Sequence, residues 1–201
     1  MRHRSFPQSL PESHDWFYVM CRTILVTSFT TWKSHQPSNS SDDLLELISR
    51  HPDVTRSSLH FLRKVPVHFS YAPSCVIHHI QTIEPDIVIC CGMSEKHQTM
   101  NIESRAIRAG QIQYTGVDLV RLVDGLKMTR ISHNAGRYVC NSLYFDVLDF
   151  LRHYHKPVLC IFVHVPRLSL ENQAWVVSDF LSILHRMESL PVSSIPICAP
   201  V

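Results

Sequence analysis

The chain predicts an α/β fold, a three-layer α/β/α sandwich around a largely parallel or mixed central sheet. Three observations carry this expectation. The runs Ile87-Val88-Ile89-Cys90-Cys91 and Val158-Leu159-Cys160-Ile161-Phe162-Val163 are apolar on both alternating faces, the pattern of strands covered on both sides. Segments with helical spacing separate the strand-like runs, so strand and helix alternate along the sequence. The chain has 201 residues, 45% of them hydrophobic, which suits one domain with a large buried core.

Taken in order, Met1 to Val19 mixes prolines, histidines and scattered polar residues without periodicity. It lacks the continuous apolar stretch and small-residue cleavage site of a signal peptide. Residues 1–22 are therefore expected to be a disordered or artefactual N-terminal extension, with Met20 as an alternative start of translation. Residues 23–188 are expected to form one domain. The first strand is placed at Thr23–Thr27. Ser41–Ile48 follows as a helix, with Ser or Asp as N-cap and acids in its first turn. Leu62–Phe69 reads as an extended segment that Pro66 assigns to a sheet edge. Pro73–Ile83 reads as helix, Ile87–Cys91 as buried strand, Thr129–Ser132 as a strand and Asn172–Met187 as the last amphipathic helix. Three prolines from Pro191 onward make residues 189–201 a flexible tail.

The chemistry concentrates in three segments. Ser132-His133-Asn134-Ala135-Gly136-Arg137-Tyr138-Val139-Cys140-Asn141 delivers a cysteine to the start of a helix. From Cys140, apolar residues recur at Tyr144, Val147, Leu148 and Leu151, while Asn141, Asp146, Asp149 and Arg152 fall on the other side. Cys140 thus points into the fold beside a helix N-terminus, where free N–H groups and the helix dipole favour a negative group. His164 closes the second buried run. In open α/β sheets the carboxyl ends of strands are where ligands bind, so this histidine is placed for chemistry. Glu103 lies beyond the other buried strand and Gly92. Each residue has a plainer reading alone: a cysteine packed as a small hydrophobe, a hydrogen-bonded structural histidine, a solvated loop carboxylate.

Together these segments resemble the pyroglutamyl peptidase I family of cysteine peptidases, also called pyrrolidone-carboxylate peptidases. Ile24-Leu25-Val26-Thr27-Ser28-Phe29 is similar to the family's opening strand, and Pro85-Asp86-Ile87-Val88-Ile89-Cys90-Cys91-Gly92 to its second signature strand. Glu103-Ser104-Arg105-Ala106-Ile107 is similar to its glutamate motif. Asn134 to Asn141 and Phe162-Val163-His164-Val165-Pro166 are similar to its nucleophile and histidine motifs, in the family order Glu, Cys, His. The resemblance implies hydrolysis of an N-terminal pyroglutamyl residue from peptides. Cys140 would be the nucleophile, His164 the general base and Glu103 the orienting carboxylate, with Phe29, Trp32, Gly92 and Met93 binding substrate. It implies no cofactor and no metal, N-terminally pyroglutamylated peptides as partners, and leaves a homo-oligomer open. Departures are a turn reading Ser28-Phe29-Thr30-Thr31-Trp32-Lys33-Ser34 where the family is rich in glycine, His97 where the family has an arginine, and a shorter interval from Glu103 to Cys140. A non-catalytic member of the fold that binds a ligand or partner, or an enzyme for another small cyclic amide, stays as the alternative.

Composition narrows the remaining classes. The net charge of +2 with no basic stripe gives no reason to expect nucleic acid, and no apolar run reaches the roughly 20 residues of a membrane span. Seven cysteines without framework spacing fit a reducing, cytoplasmic setting. The histidines His78-His79, His133, His153 and His155 lack paired ligands at zinc spacing.

Overall fold

A computed structural model of the protein describes residues 22–34, 36–56 and 58–190, with the side chains of residues 55 and 56 excepted. The expected N-terminal extension and tail therefore lie outside the described residues, apart from Arg22, Ser189 and Leu190. Arg22 is tied in: its guanidinium donates to the carbonyls of Met187, at 3.1 Å, and Leu190.

The described residues form eight strands: β1 (Thr23–Phe29), β2 (Ser58–Val65), β3 (Ile87–Ser94), β4 (Met100–Glu103), β5 (Arg105–Arg108), β6 (Gln111–Tyr114), β7 (Thr129–Ser132) and β8 (Leu159–Pro166). Five helices accompany them: α1 (Ser40–Ser49), α2 (Tyr71–Ile83), α3 (Leu119–Val123), α4 (Val139–Arg152) and α5 (Gln173–Ser189). Six strands make one sheet in the order β2-β1-β3-β8-β4-β7, and β5-β6 is a separate hairpin. β2, β1, β3 and β8 are mutually parallel; β4 runs antiparallel to β8 and carries β7 parallel to itself.

Alternation along the strands divides the core into two. Ile24, Val26, Ile87, Ile89, Ile161 and Val163 pack with Leu44, Leu45 and Ile48 of α1 and Phe180, Ile183 and Met187 of α5. Leu25, Val88, Cys90, Cys160 and Phe162 pack on the other face with Val76 and Ile80 of α2 and Leu143, Tyr144 and Val147 of α4. The sheet is thus covered on both sides, as its doubly apolar strands require. Burial of each such side chain stabilises the fold by roughly 1.5–3 kcal/mol.

The second strand segment differs from its expected position. β2 begins at Ser58 and stops at Val65, four residues earlier than Leu62–Phe69. Pro66 has no N–H for the ladder, so it ends the strand. β2 is an edge strand all the same. Four residues give too little periodicity to announce β4 to β6, and β7, equally short, is legible only from its place ahead of the Cys140 helix.

Asp179 of α5 holds the start of β7. Buried at 5% exposure, its Oδ2 accepts from Met128 N at 2.7 Å and the Thr129 hydroxyl at 2.8 Å, and its Oδ1 from Lys127 N at 3.4 Å. Asp179→Ala leaves those buried donors unpaired and is expected to cost about 2–4 kcal/mol, read from the midpoint of a denaturant titration.

Candidate active site

Three elements meet at the carboxyl end of β8, on the sheet face covered by α2 and α4. His164 stands opposite Gly92 of β3 and opposite Asn101 of β4. Because Ile102 and Met100 fill the opposite core, Glu103 turns to the same face as His164. Glu103 is fully buried, and its Oε1 lies 2.7 Å from His164 Nδ1. A carboxylate accepts, so Nδ1 carries a proton; in the neutral form of the ring that is its single proton, and the other nitrogen is then an acceptor. The Cys140 thiol lies close enough to His164 to act on its ionisation. The Phe162 ring packs against the histidine with centroids 4.9 Å apart.

Electrostatics follow from this packing. Burial alone would lower the His164 pKa. The hydrogen bonds and charges of Cys140 and Glu103 outweigh it and raise the value from 6.5 to about 9. Three other cysteines are held as thiols: burial pushes Cys75 and Cys91 up, and a hydrogen bond with Cys90 together with burial pushes Cys160 well up. Of the free cysteines among the described residues, Cys75 and Cys140 are partly exposed, and Cys140 is the one beside His164.

The sequence expectation for α4 needs one correction. Asn141 was assigned to the polar outer side, yet it is 8% exposed. The β5-β6 hairpin folds over α4, and the Asn141 amide accepts from Ile107 N at 2.9 Å and donates to Ile107 O at 2.7 Å. Glu103, whose isolated reading was a solvated loop carboxylate, instead ends the strand β4. Tyr144, one turn after Cys140, donates its hydroxyl to the Glu103 carbonyl at 3.0 Å and so braces the nucleophile's helix against the strand bearing the carboxylate. No sequence signal marked that role, since an apolar-face tyrosine reads as core. α4 itself starts at Tyr138 without a side-chain cap, which leaves the first-turn N–H groups beside Cys140 available.

The four expected substrate-binding residues are placed differently. Gly92 abuts Cys140: a Cβ built there would lie 2.8 Å from Cys140 Sγ and 3.0 Å from Phe162 Cζ. Phe29 is buried in the α2/α4 core at the end of β1. Trp32 is 43% exposed on the following loop. Met93 points to the opposite face, where its sulfur accepts from Ser40 N at 3.4 Å, so only its backbone adjoins the site. Gly92→Ala is expected to displace the thiol and lower kcat/KM roughly 100-fold, because a shift near 1 Å costs that much. The thiol end can move, but the fully buried Phe162 ring cannot easily do so, so the overpacking should also lower stability by about 1–3 kcal/mol.

Among the described residues no helix is long and apolar enough to cross a membrane. No family model matches the chain. Curated proteins similar to it are pyrrolidone-carboxylate peptidases: that of Bacillus amyloliquefaciens is 22% identical over 158 residues, covering 66% of this chain and 73% of its own length. That of Brevibacillus brevis is 24% identical over 173 residues, covering 73% and 79%. The crystal structure of pyroglutamyl peptidase I from Bacillus amyloliquefaciens superposes with a TM-score of 0.73 at 19% identity, over 86% of this chain and 97% of that one. A mutant pyrrolidone carboxyl peptidase of Pyrococcus furiosus gives 0.71 at 16% identity, over 84% and 100%. With the sheet order and flanking helices described above, the chain has the fold of the pyroglutamyl peptidase I structures and is similar in sequence to the pyrrolidone-carboxylate peptidases.

Proposed function

We propose that this protein is a cysteine peptidase that removes an N-terminal pyroglutamyl residue from peptides. The observation that carries the reading is the buried Glu103–His164 hydrogen bond with the Cys140 thiol beside it, seated against the bare backbone of Gly92. Cys140 Sγ attacks the pyroglutamyl carbonyl carbon while His164 takes the thiol proton. The carbonyl oxygen becomes an oxyanion, received by first-turn N–H groups of α4, each such donor being worth about 3–4 kcal/mol in studied enzymes. The C–N bond then breaks, His164 gives its proton to the leaving amine, and an acyl-thioester remains. Water, activated by His164, hydrolyses the thioester, frees pyroglutamate and returns the proton to sulfur. Glu103 holds Nδ1 throughout and stabilises the imidazolium. Phe29 and Gly92 wall the flat lactam, Trp32 forms the pocket's lip and Met93 contributes backbone.

The test is release of amine from a pyroglutamyl arylamide by purified protein under reducing conditions. Release with equimolar pyroglutamate, stopped by prior alkylation of the thiol, supports the reading. Folded protein that releases none overturns it and moves the assignment to another small cyclic amide or to ligand binding.

A further inference from the structure

Beyond the catalytic histidine, a second histidine is built into the mouth of the same face. β3 and β4 both flank β8, and each sends one polar side chain from the face that bears His164. Ser94 follows Gly92 by two residues on β3, opposite Pro166; Asn101 stands opposite His164 on β4. Both converge on one atom. Asn101 Nδ2 lies 2.7 Å from His97 Nδ1, and Ser94 Oγ lies 3.1 Å from it. The Thr99 hydroxyl donates to Asn101 Oδ1 at 3.3 Å, which turns the amide nitrogen towards the ring. The Asn101 amide nitrogen can only donate, so Nδ1 is the acceptor of the 2.7 Å bond and the ring proton is assigned to Nε2.

Since β4 is antiparallel to β8, the residues that precede Asn101 lie past His164, outside the carboxyl end of the sheet. His97 is exposed there and spans the two strands on either side of β8. We infer that His97 is a specificity-determining residue whose Nε2–H donates to the backbone carbonyl of the residue that follows pyroglutamate. The inference rests on the peptidase reading above. Its logic is positional: His164 hands its proton to the leaving amine, so a fixed donor beyond His164 faces the leaving peptide and not the lactam. An N–H donor matches an amide carbonyl, and it rewards a peptide over a leaving group without that carbonyl.

Two substrates separate the outcomes. Pyroglutamyl-alaninamide carries the carbonyl and a pyroglutamyl arylamide does not. His97→Ala is expected to lower the ratio of kcat/KM for the alaninamide over the arylamide by about tenfold, the worth of one hydrogen bond. Asn101→Leu, which unlocks the ring but keeps it, should move the ratio in the same direction by less. A ratio unchanged in His97→Ala overturns the inference while the peptidase reading stands. Nitrogen chemical shifts of the His97 imidazole give a readout independent of turnover. The Nε2-protonated tautomer, shifted by pyroglutamyl-alaninamide in the Cys140→Ala protein, supports the contact. The Nδ1-protonated tautomer, or an imidazole that this ligand does not shift, overturns it. Wild-type protein that cleaves neither substrate sinks the peptidase reading, and the imidazole shifts then still decide whether His97 meets the ligand.

Discussion

Replacing Cys140 by alanine is expected to abolish release of amine from a pyroglutamyl arylamide, by a factor on the order of 10⁴ or more, while the protein stays folded. The size follows from what disappears. Among the described residues, Cys75, Cys91 and Cys160 have pKa values raised by burial or by a neighbouring thiol, and Cys90 is buried in the sheet. What survives is the α4 N-terminus and the pocket, which bind without forming a covalent bond. Cys140 is only partly buried, so truncating it leaves little cavity and should cost about 1 kcal/mol. A circular dichroism melt near that of wild type, beside lost turnover, separates chemistry from folding.

Glu103→Gln should produce the second large loss, roughly 10²–10⁴-fold in kcat, through the histidine. The carboxylate oxygen 2.7 Å from Nδ1 can only accept from it while ionised. A glutamine amide can present its NH2 group to Nδ1 instead, which moves the ring proton to the nitrogen facing Cys140. That nitrogen then cannot take the thiol proton. The variant also has a pH signature. In the native protein the His164 pKa is raised to about 9, because the Cys140 and Glu103 interactions exceed the lowering effect of burial. Leaving-amine protonation needs the imidazolium, so the alkaline limb of the rate should fall near pH 9. Without the Glu103 charge that limb should move to lower pH. Stability follows the same sign. A group whose folded pKa exceeds its reference of 6.5 contributes stability that is fully present below pH 6.5 and is lost as pH rises through about 9. Denaturation midpoints across that window should therefore fall with rising pH in wild type, and fall less in Glu103→Gln.

How far the sequence foretold this arrangement varied with the physical signal. β3 and β8 were legible because their residues are apolar on both faces, and α4 because Tyr144, Val147 and Leu148 recur at helical spacing. Cys140, His164 and Glu103 stood out through motif order, and the fold brings all three to one face. Their spatial relation was invisible beforehand. β4 enters antiparallel to β8, which carries Glu103 from an apparent loop to full burial beside His164. That pairing joins residues 61 positions apart, and no local pattern reports it. Asn141 was misplaced for a related reason: helical periodicity describes a helix covered on one side, whereas the β5-β6 hairpin covers α4 on a second. Gly92 could be named from its motif, but its reason is the 2.8 Å approach to Cys140 Sγ, which is a tertiary fact.

Intact-mass and peptide mapping of enzyme quenched by acid during turnover of pyroglutamyl-alaninamide tests the central claim most directly. The account predicts a pyroglutamyl thioester on the peptide that contains Cys140, accumulating in wild type and absent from Cys140→Ala and His164→Ala. Turnover that continues in Cys140→Ala, or an acyl group trapped on a different residue, would contradict it.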